Sequence, residues 1–173
     1  MPHGRIAVSQ CRFRAAEAND RAAISAVEEA AFGRSAEAEL SHALNASPDI
    51  ATLSLVAERA GDIIGHVLFS AIEGPGGALA LAPLAVAPAW QDMHVGTELV
   101  RRGLDAAAQA GWRAVYVLGA PGYYCRFGFR SELADAATVP WQGPEFMAIE
   151  LTEDALRGWT GTLRYPAPFT ALG

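Results

Sequence analysis

The stretch "PAWQDMHVGTELV", residues 88–100, places a turn between an apolar strand and a helix that starts near Val95. A helix start leaves backbone N–H groups unpaired and carries the positive end of the helix dipole, so it can seat a pyrophosphate. Gly96 lies in its first turn, where the lack of a Cβ lets a ligand come close to the backbone. Just upstream, Pro83 interrupts the run "ALALAPLAVA"; proline gives no N–H to a sheet ladder and favours an edge or a bulge. Such a break leaves the N–H groups around Leu84, Ala85 and Val86 free to bind an acyl carbonyl. Spacing alone serves an ordinary strand–turn–helix junction equally well.

The elements that must position these residues follow from periodicity and punctuation. "CRFRAA" makes a first strand, and Asn19 or Asp20 can cap a helix whose Ile24, Val27, Ala31 and Phe32 recur at helical spacing before Gly33 closes it. Ser35 can cap a second helix, with Ala36, Leu40, Ala43 and Leu44 on one face, that stops before Pro48. "TLSLVAERAGDIIGHVLFSAIE" has the alternation of a hairpin, turning at Gly61-Asp62. "GPGG" at 74–77 is a further turn into the strand that carries Pro83. The helix after the loop should bury Leu99, Val100, Leu104, Ala107 and Ala108 and end at Gly111. "AVYVLG" is short and apolar enough to be covered on both faces. "APGYYCRFGF" makes a helical turn ended by Gly128, "FMAIEL" a last strand, and "GTLRYPAPF" an irregular tail. The order β-α-α-β-β-β-α-β-α-β-β implies one mixed α/β (α+β) sheet with helices on its faces.

"LAPLAVAPAWQDMHVGTELVRRGLDAA" followed by "VYVLGAPGYYCRFGF" resembles the GNAT N-acetyltransferase superfamily. The shared pattern is an L-x-V-x-P strand end, a Q/R-x-x-G-x-G/A loop, a helix, a strand and Y-x-x-x-G-F. The tail, with "PWQGPEFMAIEL" and "GTLRYPAPF", is similar to the YhbS-like bacterial subgroup. The resemblance implies a single domain over residues 1–173, with a core of about 10–151 and an irregular tail over 152–173. A central twisted sheet of about six to seven strands, flanked by helices, goes with it. It also implies acetyl-CoA as cosubstrate, its thioester arm held by Leu84, Ala85 and Val86. Its pyrophosphate then falls to the loop Gln91, Asp92, Met93, His94, Val95, Gly96 and Thr97.

Tyr124 matches the family's usual general acid, a phenol that protonates the departing thiolate. A tyrosine, with a reference pKa of about 10, keeps its proton at neutral pH. The alternative is that Tyr123, Tyr124 and Phe127 pack the short helix onto the sheet. A general base is harder to place, because the strand before the loop has no ionisable residue. His66 and Glu73 on the preceding strand could act through water, or be a half-buried hairpin histidine and a solvated carboxylate. Cys125 has no identifiable partner and reads as structural. His94 replaces the first loop glycine. It keeps the backbone N–H but adds a Cβ, and a positive φ there would cost about 1–3 kcal/mol. A helical φ avoids that cost, so the expectation is a modified but working loop.

Composition narrows the partners. The chain has 173 residues and a net charge of −6; its thirteen basic residues are all Arg, scattered apart from Arg101-Arg102. No basic stripe marks a nucleic-acid groove. "MPHGRIAVSQCRFR" lacks the apolar centre of a leader, no apolar run could span a bilayer, and Cys11 and Cys125 fit free thiols in a reducing cytoplasm. The histidines lack metal-ligand spacing. The expected protein is a cytoplasmic monomer or homodimer that uses acetyl-CoA and an unidentified amine acceptor, without metal, membrane or nucleic acid. The competing function is an acyl-CoA-binding or regulatory module with little or no turnover.

Overall fold

The computed structural model describes residues 8–172, so the first half of the stretch read for a leader lies outside the described residues. The elements run β1 (Arg12–Ala15), α1 (Arg21–Phe32), α2 (Ala36–Ala46), β2 (Thr52–Arg59), β3 (Asp62–Ala71), β4 (Ala78–Val86), α3 (Val95–Gln109), β5 (Ala114–Leu118), α4 (Pro121–Tyr124), β6 (Ala137–Thr138), β7 (Phe146–Glu150) and β8 (Gly161–Thr162). Six strands form one sheet in the order β1-β2-β3-β4-β5-β7, and β6 pairs with β8 apart from it. All pairs in the main sheet are antiparallel except β4 with β5.

α1 ends as expected, with Gly33 at φ 70°. Its start differs: the Asp20 carboxylate accepts the Glu17 N–H at 2.7 Å and faces the Arg14 guanidinium at 2.7 and 2.9 Å. Arg14 holds the Asp20 carboxyl below its usual range despite its burial. The β2–β3 hairpin turns at Ala60-Gly61, one residue earlier than expected. Both residues have positive φ, 51° and 87°, as a two-residue turn between right-twisted strands requires.

β4 organises the site. Leu81 pairs with Phe69 and Leu84 with Val67, so Ala82 and Pro83 together oppose Leu68. This is a β-bulge in an interior strand, and it settles the choice that Pro83 left open between edge and bulge. On its other side β4 meets β5 only through Ala78↔Ala114, Leu79↔Val115 and Ala80↔Tyr116. Beyond that the strands part. β5 goes on with β7, and Leu81–Val86 keep only β3.

Alternation along the strands gives the sheet two different faces. Val67, Phe69, Leu79, Leu81, Val115, Val117 and Met147 pack under Leu99, Val100, Leu104 and Ala107 of α3. Ala108, expected inside, is exposed, because the stripe centred on 99, 103 and 107 has already turned past it. Gly103 takes its place: a methyl group there would collide with the buried Phe69 ring. On the opposite face, Ala78, Ala80, Tyr116, Phe146 and Ala148 pack with Leu156 and Leu163, and Leu40 and Leu44 of α2 cover Leu68. The tail is therefore core and not appendage. Its Arg164 exchanges backbone hydrogen bonds with Glu73, both 2.9 Å, and its last turn packs on α2. Those tail apolar residues follow no helical or strand period, which is why the sequence gives no sign of their burial.

Candidate functional site

The loop between β4 and α3 opens a cleft of about 430 Å³ on the α3 face. Leu84 and Val86 form one wall and Gln91, Asp92, His94, Val95, Gly96 and Thr97 the other. The first bond of the α3 ladder runs from the Glu98 N–H to the His94 carbonyl at 3.0 Å. The N–H groups of Val95, Gly96 and Thr97 therefore precede the ladder and face whatever occupies the helix start. Gly96 keeps that approach clear, because a methyl group on it would sit 3.2 Å from the Tyr123 hydroxyl and 3.4 Å from Val86 Cγ2.

His94 takes φ 65° and ψ 10°, the left-handed conformation, and not the helical one expected. Asp92 is also left-handed, at φ 63°. Two such residues, with Met93 between them, turn the chain sharply enough to start α3 beside the end of β4. The turn geometry is worth the strain to this loop, since α3 must lie close to β3: a methyl on Gly65 would sit 2.9 Å from Leu99 and 3.2 Å from Val95. The His94 side chain is exposed.

The other expected loop residues divide. The Gln91 amide donates to the Val86 carbonyl at 3.0 Å, tying the loop to the strand end. Met93 packs into the apolar core beneath the loop. Ala85 pairs with His66 and is buried on the opposite face of the sheet, so only its backbone belongs to the cleft edge. Three residues that the sequence reading did not assign to this cleft also line it, namely Trp90, Tyr123 and Arg126. The Arg126 guanidinium lies 4.7 Å over the Tyr123 ring, and its Nε donates to the Tyr123 carbonyl at 3.3 Å. The Tyr123 hydroxyl is 3.4 Å from Thr97 Oγ1. Adjacency of Arg126 to the two tyrosines was the available signal, visible once α4 is folded over the α3 start.

Tyr124, the next residue, packs on Tyr123 toward the end of β5, beyond the point where β4 has parted from it. Its ring packs edge-on to Tyr123 (5.0 Å between centroids) and Phe129 (5.8 Å). It also fills the space beside Gly119, just past the end of β5, where a methyl would meet it at 2.6 Å. Burial, with a smaller contribution from Tyr123, raises its pKa well above the usual phenol value. The phenol is thus protonated throughout the neutral range.

His66 and Glu73 are not drawn into the cleft. His66 is fully buried on the opposite face, with Nδ1 2.6 Å from Glu28 Oε1 and Nε2 2.7 Å from Ser54 Oγ. Ser41 Oγ donates to the same Glu28 oxygen at 2.7 Å. This chain ties α1, α2, β2 and β3 together through groups that would be costly to leave unpaired. Glu73 is exposed, as the plain reading has it, and so is Cys125. Among the described residues no cluster of three or more His, Cys, Asp or Glu could hold a metal ion, and no helix is long and apolar enough to cross a membrane.

Comparison with known proteins places this geometry. Residues 22–129 match the model of the acetyltransferase (GNAT) family. The chain is 36% identical over 156 residues to the N-acetyltransferase YhbS of Escherichia coli K12, covering 87% of this chain and 93% of the relative. A crystal structure of E. coli YhbS in complex with CoA superposes with a TM-score of 0.88 at 33% identity, covering 95% of this chain and 94% of that one. A GNAT acetyltransferase from Brucella melitensis in complex with acetyl-CoA gives 0.78 at 34% identity, covering 92% and 97%.

Proposed function

Because the chain belongs to the GNAT acetyltransferase family, we propose that it binds acetyl-CoA in the α3-face cleft and transfers the acetyl group directly to an amine. The observation that carries this is the parting of β4 from β5 beside an open helix start. The N–H groups of Val95, Gly96 and Thr97, with the backbone of residues 91–94, suit the pyrophosphate. Arg126 on the cleft wall adds positive charge. Leu84 and Val86 offer apolar contact to the pantetheine arm. The β4 edge, freed of β5, offers backbone donors to the thioester carbonyl.

In the reaction the amine nitrogen attacks the thioester carbon, forming the N–C bond as the carbonyl becomes an oxyanion. The C–S bond then breaks, Tyr124 gives its proton to the thiolate, and the nitrogen loses one to water. Tyr124 regains a proton from solvent, leaving an amide and CoA. Its raised pKa supports this role by keeping the acid loaded at neutral pH. His94 supports a working loop: it already holds the backbone shape that glycine adopts freely, and its ring is exposed to solvent.

Titration calorimetry with acetyl-CoA, followed by thiol release on adding amines, tests the reading. One site per chain and amine-dependent CoA release are expected, with affinity falling as salt rises. Binding without turnover on any amine would leave a CoA-binding module. No binding at millimolar acetyl-CoA would remove the assignment.

A further inference from the structure

A second cavity, of about 280 Å³, opens on the face opposite the cofactor cleft, where β4 and β5 part. Ala80 and Tyr116, the last β4–β5 pair, stand at its base, and Leu118, Trp141, Tyr165 and Phe169 surround it. Its walls come from β4, β5, the segment before β7 and the C-terminal tail. The rings brace one another: Trp141 on Tyr165 at 5.0 Å and 82°, Tyr165 on Phe169 at 5.2 Å and 78°, and Tyr116 stacked on Phe146 at 5.6 Å. Trp141 and Tyr165 meet edge to face, so aromatic surface forms that side of the cavity. No acid, lysine, arginine or histidine lines it. Leu118 and Trp141 are 53% and 37% exposed, so the mouth opens to solvent.

We propose that this cavity is the acceptor site and that it selects a compact monoamine carried on an aromatic or branched apolar body, such as a 2-arylethylamine. The inference rests on the acetyl-transfer reading above. Three physical points carry it. A volume just under the ~300–1,000 Å³ usual for drug-sized ligands admits one small ring system and not an oligosaccharide or a folded chain end. An aromatic wall recognises ring surface through area and edge-to-face contact. A polycation or a carboxylate would leave water there with no counter-charge to meet it. The same walls bear on the missing base: burial without a carboxylate disfavours the ammonium form, so the amine sheds its proton to water on entry and arrives as the nucleophile.

The test is steady-state CoA release by the full chain with saturating acetyl-CoA and phenethylamine, tryptamine, spermidine or a lysine peptide as acceptor, with products checked by mass. The expected order is arylethylamines at least tenfold above spermidine and peptide in kcat/KM, within the range one apolar pocket can discriminate. Trp141→Ala should raise KM for phenethylamine about tenfold while kcat stays within a few-fold. Leu118→Asp, at an exposed position, should shift preference toward spermidine. Preference for spermidine or peptide in the natural chain, or variants with unchanged KM values, would overturn the proposal and leave acetyl transfer standing. If no amine releases CoA, acetyl transfer itself fails, and phenethylamine titrated into the CoA-loaded protein decides about the cavity. Heat that Trp141→Ala abolishes supports it; no heat overturns it.

Discussion

The two faces of the sheet solve different problems with the same strands. On the α3 face the site is one contiguous piece of chain, residues 84–97, closed over by Tyr123 and Arg126. On the other face the cavity and the polar chain through Glu28 and His66 draw on segments from Glu28 to Phe169. A ligand with a constant phosphate part needs only backbone N–H groups in a fixed turn, which a short segment can supply. A variable acceptor needs shape, which only several distant segments can enclose. The lesson is that contiguity follows the generality of what is bound.

The largest effect is expected at Glu28. If the polar chain on the opposite face is structural, Glu28→Leu leaves His66 Nδ1 and Ser41 Oγ without their partner. It should cost about 3 kcal/mol or more in unfolding free energy, read by urea denaturation. A variant of natural stability that has lost turnover would instead place Glu28 in the chemistry. Next comes Tyr124→Phe, which should lower kcat roughly 10²-fold while acetyl-CoA affinity stays within a few-fold. Equal turnover would return Tyr124 to packing.

On the cofactor face, Gly103→Ala drives a methyl into Phe69 and should cost about 1–3 kcal/mol, with the melting temperature as readout. An unchanged melting temperature would mean that α3 can lift from the sheet. A smaller effect of opposite sign is expected for His94→Gly. Relief of left-handed strain, about 1–2 kcal/mol, outweighs the added freedom of the unfolded chain, about 0.4–1. The variant should gain up to about 1.6 kcal/mol and keep CoA affinity. A large affinity gain would show that the imidazole obstructs the pyrophosphate.

The smallest effect belongs to Asp20 at the start of α1. Arg14 depresses its folded pKa, so its contribution is present above the unfolded value, about 4, and is lost as pH falls through the lower folded value. Asp20→Asn should remove that contribution near neutrality and flatten the acid limb of a stability–pH curve, so that the two proteins converge as pH falls. An identical acid limb would mean that the pair persists in the unfolded chain.

The order of the main-sheet elements, the break in pairing at Pro83, the turn into the helix at Val95 and the family were legible in the sequence, because each is written in a short contiguous stretch. Local sterics decide them: a proline without an N–H, a glycine at a helix start, apolar residues every second or every third to fourth position. What lay beyond reach were quantities fixed by neighbours far along the chain. The φ of His94 answers to how close α3 must come to Gly65. Gly103 matters only because Phe69, thirty-four positions earlier, lies beneath it. His66 is a buried partner of Glu28 because α1 lies across β3. The aromatic cavity exists because the tail, which has no period of its own, folds back over the parted strands. Sequence alone determined which segments could bind and turn. Packing decided which way their side chains faced, since orientation depends on the whole set of long-range contacts and no single stretch encodes it.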